Sequence, residues 1–159
     1  MPTQSQRVTR WDLTGYDCEG QLILLVEIKS RRHTSPEWAA KFRRNILAHG
    51  VFPKVPYFLM VFTDKFYLWA DEEARLDESE PNYVIDARPI FQPYFEKAGI
   101  KSDREISEES LELIFSSWFT NIIYSQELPN GADESQRWLI DSGLYAAIAG
   151  GSLQHEAGA

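Results

Sequence analysis

Arg10-Trp11-Asp12-Leu13-Thr14-Gly15-Tyr16-Asp17-Cys18-Glu19-Gly20-Gln21-Leu22-Ile23-Leu24-Leu25-Val26-Glu27-Ile28-Lys29 sets two charged residues at the end of an apolar run. From Leu22 to Ile28 every residue is apolar except Glu27, and Lys29 follows. A strand apolar on successive residues belongs in a sheet covered on both faces. Leaving an unpaired charge in such a strand costs several kcal/mol, so Glu27 and Lys29 need a partner or a task. Residues 7–17 read as a preceding strand and 18–21 as a turn, with Gly20 free to take positive φ. If Asp17 pairs with Leu22 across that loop, Asp12 stands opposite Glu27 and Arg10 opposite Lys29. Opposed residues point to the same side of an antiparallel pair, with Cβ atoms about 5 Å apart. Lys29 shares the face of Glu27 because side chains alternate with period two. A slip of one residue would turn Asp12 away.

Further along, Ser30–Thr34 is a basic loop. Ser35-Pro36-Glu37 has the marks of a helix start: a Ser cap, Pro at the first position and an acid in the first turn. The helix is expected to run to about Ala48, ended by Gly50. Trp38, Phe42 and Ile46 form its expected core stripe, flanked by Ala39 and Leu47, while Glu37, Lys41 and Arg44 make a polar stripe. Residues 56–63 and 65–70 read as two apolar strands joined by a tight turn. An acidic loop is expected over 71–82, a brief strand over 83–86 and a proline-punctuated segment over 88–94. Residues 107–125 have a helical period behind a capping Ser107. A last helix is expected over 133–149 and a frayed tail after it. Strand-strand-helix-strand-strand followed by helices is a mixed α/β order. It predicts one α/β domain over residues 1–150, a central mixed sheet flanked by helices with extra C-terminal helices, and a disordered tail over 151–159.

The composition, 43% hydrophobic and 13% aromatic over 159 residues, suits a packed core of domain size. Trp69, Trp118 and Trp138 are read as part of it. No run approaches the ~20 apolar residues of a membrane span, and the first ten residues lack a signal-peptide core. Cys18 is the only cysteine; a chain without a disulfide pair or thiolate cluster is expected in the cytoplasm. The net charge of −8 opposes general nucleic-acid binding. Its distribution does not: residues 1–54 hold nine Lys/Arg against five Asp/Glu, and residues 55–159 seven against nineteen. The cations gather around the opening hairpin, which allows one positive face on an acidic protein.

Two carboxylates sharing a pocket repel unless a cation lies between them. Oxygen anions suit a hard divalent ion, Mg²⁺ or Mn²⁺, which takes phosphate oxygens and waters as further ligands. A neighbouring lysine can position the attacking water and stabilise developing charge. Asp12, Glu27 and Lys29 therefore fit phosphodiester hydrolysis. Together, Asp12, Glu27-Ile28-Lys29 and the capped helix from Ser35 resemble the core of the PD-(D/E)XK nuclease superfamily, with its restriction-endonuclease-like fold. The likeness covers roughly residues 10–70. It implies an endonuclease, a hydrolase of DNA, whose ion is held by Asp12, Glu27 and the backbone carbonyl of Ile28, with Lys29 on the water. It also implies a further polar residue on the helix, for which Glu37, Lys41 and Arg44 are candidates, Glu37 as a possible auxiliary. Arg31, Arg32, Lys41 and Arg44 are the expected DNA contacts.

Two departures stand out. Trp11 occupies the place of the usual proline, and with eleven residues before Asp12 the helix that usually opens the superfamily core, often with another acid, is expected to be missing or to be supplied by the C-terminal helices or a partner chain. The alternative is a nuclease-fold protein without turnover that binds protein or nucleic acid; a homodimer or partner chain is open on either reading. His33 lies in the basic loop and His49 before Gly50, where an imidazolium suits a helix end. No His pair has metal-ligand spacing, and no phosphate-cradling glycine loop or nucleophile elbow is present. A nucleotide cofactor is not expected.

Overall fold

The computed structural model describes residues 12–48, 55–70, 80–101, 106–125 and 134–155. β1 (Leu13–Tyr16) and β2 (Leu22–Ile28) form an antiparallel hairpin. Its turn is tied by Asp17, whose Oδ1 accepts the N–H groups of Glu19 and Gln21, both at 2.9 Å. Gly20 takes φ 82° there. Leu13 faces Val26, Thr14 faces Leu25 and Gly15 faces Leu24, the register that carries Asp12 to Glu27. The route differs from the expected one. Tyr16, not Asp17, faces Leu22, and an irregularity between Gly15 and Tyr16 absorbs the extra residue. Residues 7–11 of the expected first strand lie outside the described residues.

α1 (Pro36–Ala48) carries the chain from β2 to β3 (Tyr57–Val61), which lies parallel to β2. Its cap is as expected: Ser35 Oγ accepts the Trp38 N–H at 3.0 Å. β4 (Lys65–Ala70) and β5 (Tyr83–Asp86) continue antiparallel, and β6 (Ser152–His155) closes on the free edge of β1. The six-stranded mixed sheet has the order β5-β4-β3-β2-β1-β6. β2 is thus internal, as its unbroken apolar run requires. Leu24, Val26, Ile28, Leu59, Val61, Phe66 and Leu68 face one cluster, which α2 (Arg88–Ala98), α3 (Glu108–Tyr124), α4 (Arg137–Asp141) and α5 (Leu144–Ile148) cover. Leu25, Phe58, Met60, Phe62, Tyr67 and Trp69 face the other, under α1.

Four expectations are corrected. On α1 the buried line is Ala39, Ala40, Arg43 and Leu47, while Trp38, Phe42 and Ile46 are half-buried. Arg43 is 3% exposed, its guanidinium 5.6 Å from the Phe58 ring and 5.2 Å from that of Trp69. Small alanines bring the helix close, the arginine stem packs against the two rings, and Trp38, Phe42 and Ile46 pack on the same cluster from its edge. The proline-punctuated segment is helix α2. Pro89 stands in its first turn, where no N–H is needed, Pro93 lies inside the helix, and Gly99 ends it at φ 75°. The last helix is broken into a 3-10 turn (Glu134–Gln136), α4 and α5, because Gly143 takes φ 83°. Tyr57 Oη pins that break by donating to the Ser142 carbonyl at 2.9 Å.

The C-terminal end differs as well. Residues 152–155 are a strand rather than a disordered end; residues 156–159 lie outside the described residues. Gly150 turns the chain at φ 78°, and Gly151 then passes so close to β1 that a Cβ would overlap the Tyr16 carbonyl oxygen. Only glycine permits that approach. Gly151→Ala is expected to lower unfolding free energy by about 2 kcal/mol, read as a lower urea midpoint. An unchanged midpoint would contradict the packing of β6 on β1.

Candidate metal centre

The end of β2 gathers the charges. Glu27 follows Leu25 onto the α1 side of the sheet, beside the buried Met60 of β3, and its side chain is only 15% exposed. Lys29 lies one alternation further on the same side, its Nζ 3.8 Å from Glu27 Oε2. Asp12 is half-buried just before β1, and its Oδ2 accepts the Ile28 N–H at 2.7 Å. In a strand the N–H and C=O of one residue point to the same neighbour. The Ile28 carbonyl therefore faces the side on which Asp12 is bound. The register thus brings Asp12, Glu27, Lys29 and the Ile28 backbone to one place, as the hairpin arithmetic expects.

The two carboxyls are short of positive charge. Burial pushes the Glu27 carboxyl up to about 7, the Asp12 carboxylate pushes the same way, and Lys29 offsets only part of this. Asp12 is raised as well, chiefly by burial, although the Ile28 N–H and Lys29 pull it down. Both are raised further by Glu108, and Asp12 also by Glu112. These two acids stand one turn apart on α3. Ser30 N–H donates to Glu108 Oε2 at 3.3 Å and Ser30 Oγ to the Ile106 carbonyl at 2.7 Å, so the start of α3 is tied to the residue after Lys29. Glu112 Oε2 lies 2.6 Å from His155 Nδ1 on β6. Nothing local marks Glu108 and Glu112, because they reach the site from some 80 residues away along the chain. Their only signal is the Ser107 cap and the i, i+4 spacing.

The remaining expected residues lie on the loop after β2 and on α1. Glu37 is exposed in the first turn of α1, and its charge adds slightly to the rise that burial causes in the Tyr67 hydroxyl. The Arg31 guanidinium lies over the Trp38 ring, its carbon 4.7 Å from the centroid. Arg32 is half-buried in the same loop, and Lys41 and Arg44 are exposed on α1. The loop itself is clamped. Thr63 donates to the Arg31 carbonyl through N–H (3.3 Å) and Oγ1 (2.9 Å), and His33, at φ 61°, donates its N–H to Asp64 Oδ2 at 3.3 Å. His33 holds a left-handed backbone that few non-glycine residues adopt.

Among the described residues no set of three or more His, Cys, Asp or Glu side chains forms a ready cage. A hard divalent ion does not need one, since it keeps several waters and binds through one or two carboxylates and a carbonyl. Two desolvated acids with raised pKa values beside an inward-facing carbonyl are a donor set of that kind. Comparison with family models, curated proteins and solved structures returns no match to this chain.

The shift of Glu27 carries a stability consequence. Its folded pKa of about 7 stands above the ordinary 4.5, so the folded state binds the proton more tightly. Its contribution to stability is then complete below pH 4.5, falls as pH rises from 4.5 to 7, and is lost above 7. The span corresponds to about 3 kcal/mol. Glu27→Gln is expected to raise the metal-free melting temperature at pH 8 and leave it nearly unchanged at pH 4.5. Mg²⁺ or Mn²⁺ is expected to stabilise the wild type more than Glu27→Gln. Equal pH profiles for the two proteins would contradict the shift.

Proposed function

We propose that this protein is a divalent-metal-dependent nuclease that hydrolyses DNA phosphodiester bonds, with the restriction-endonuclease-like architecture of the PD-(D/E)XK superfamily. The observation that carries the reading is the convergence of Asp12, Glu27, Ile28 and Lys29 at the end of an internal strand, with Glu27 raised to about 7 by burial and its acidic neighbour. Charge arranged to its own cost is the usual mark of a functional site. The parallel β2–α1–β3 unit and the acids of α3 support it too. Relatives in that superfamily often carry an acid on an opening helix; here α3 would bring Glu108 to the same neighbourhood.

Asp12, Glu27 and the Ile28 carbonyl would hold the ion. The bound ion supplies Lewis-acid stabilisation of the charge that develops on the phosphate and lowers the pKa of water. Lys29, kept beside Glu27, orients the attacking water and stabilises the negative charge built up on the non-bridging oxygens as the phosphorus–oxygen bond to the leaving group breaks. The Ile28 N–H holds Asp12 in place through one carboxylate oxygen, and Asp12 so held would be a ligand to the ion. The cations of the following loop and of α1, Arg31, Arg32, Lys41 and Arg44, would carry flanking phosphates.

Cleavage of plasmid and single-stranded DNA with Mg²⁺ or Mn²⁺ tests the reading. Wild type is expected to cut, and Glu27→Ala and Lys29→Ala each to lose about a hundredfold or more in rate. Cleavage that survives either substitution would sink the assignment. A wild type that binds DNA but never cuts would instead favour a nuclease fold kept as a binding module.

A further inference from the structure

Arg31 leaves the sheet two residues beyond Lys29, and its guanidinium lies 4.7 Å over the Trp38 ring. The indole is itself backed: it stacks on Phe42 at 5.1 Å with 26° between planes and meets Phe62 edge-on at 5.8 Å. Both partners of this cation–π pair are anchored through their backbones. The Arg31 carbonyl accepts two hydrogen bonds from Thr63, its N–H donates to the Lys29 carbonyl at 2.9 Å, and Trp38 N–H is held by the Ser35 cap. Arg31 is nonetheless exposed, and among the described residues no carboxylate pairs with it. Lys41 and Arg44 stand exposed on the same helix as Trp38.

A guanidinium is a weakly hydrated planar cation that stacks on π faces while donating hydrogen bonds along its edge. With Trp38 behind it, Arg31 offers a fixed plane to a second planar group and its edge to a phosphate. Within a duplex each base is already stacked above and below. Only an unpaired nucleotide has a face to give, and single strands are bound in this manner on aromatic and arginine planes beside cationic grooves. The −8 charge of the chain weighs against long runs of phosphate contacts, which makes a local stack the better source of affinity. We propose that Arg31 on Trp38 is a stacking platform for an unpaired nucleobase next to the scissile phosphate, so that single-stranded nucleic acid is the preferred substrate. The proposal rests on the nuclease reading of Asp12, Glu27 and Lys29.

The test uses fluorescence anisotropy of a labelled oligodeoxythymidine and of a duplex of equal length, at low salt in EDTA, for wild type and Arg31→Lys. Lysine keeps the charge and loses the plane. The expected result is about tenfold weaker single-strand binding by Arg31→Lys and a much smaller loss on the duplex, where lysine still meets a phosphate; oligouridine run beside it assigns the platform to DNA, RNA or both. Single-strand binding untouched by Arg31→Lys, or an equal loss on single strand and duplex, would overturn the platform. Because no cleavage is involved, a chain that fails to cut still reports on the platform, and a chain that cuts but ignores Arg31→Lys rejects the platform alone.

Discussion

The hydrogen bond from the Ile28 N–H to Asp12 Oδ2, at 2.7 Å, is the contact on which the rest of the site depends. It fixes where the chain entering β1 crosses the end of β2, and so sets one carboxylate beside another. Without it Asp12 would turn to solvent and Glu27 would be a lone buried acid with Lys29 for company. With it, two acids share a half-buried place that one lysine does not neutralise. The sheet pays for this arrangement in stability, and a bound cation would return the loss.

The surrounding fold exists to hold that crowding steady. β2 is internal, flanked by β1 and β3 and covered on both faces, so Glu27 cannot escape by moving its backbone. α3 is tied to Ser30 through Glu108 and Ile106, which adds negative charge from outside the hairpin. Thr63 and Asp64 hold the loop after Lys29 from the β3–β4 turn. Three separate stretches of chain thus converge on the residues following one strand, and each brings either charge or rigidity.

Much of this was legible in the sequence because it is local. The unbroken apolar run marked β2 as internal, the Ser35 cap marked the start of α1, and hairpin pairing brought Asp12 to Glu27 even though the turn closes through an irregularity at Gly15 and Tyr16. What escaped was either long-range or a local rule overridden by packing. Glu108 and Glu112 look like ordinary helix-start acids until the fold brings α3 to the sheet end. Arg43 looks like a surface cation, yet Phe58 and Trp69 enclose it. Pro89 and Pro93 resemble breakers, although the first falls where a helix needs no N–H. β6 was hidden because its pairing depends on Gly151 slipping past the Tyr16 carbonyl, a constraint with no periodic signature.

The charge deficit at Asp12 and Glu27 would suit a divalent cation, and a carbon-13 NMR titration of the Glu27 carboxyl reads that deficit at its source. A midpoint near 7 is expected without metal, with a clear fall in that midpoint when Mg²⁺ is added. A midpoint at the ordinary value of 4.5, or one that Mg²⁺ leaves unmoved, would contradict it.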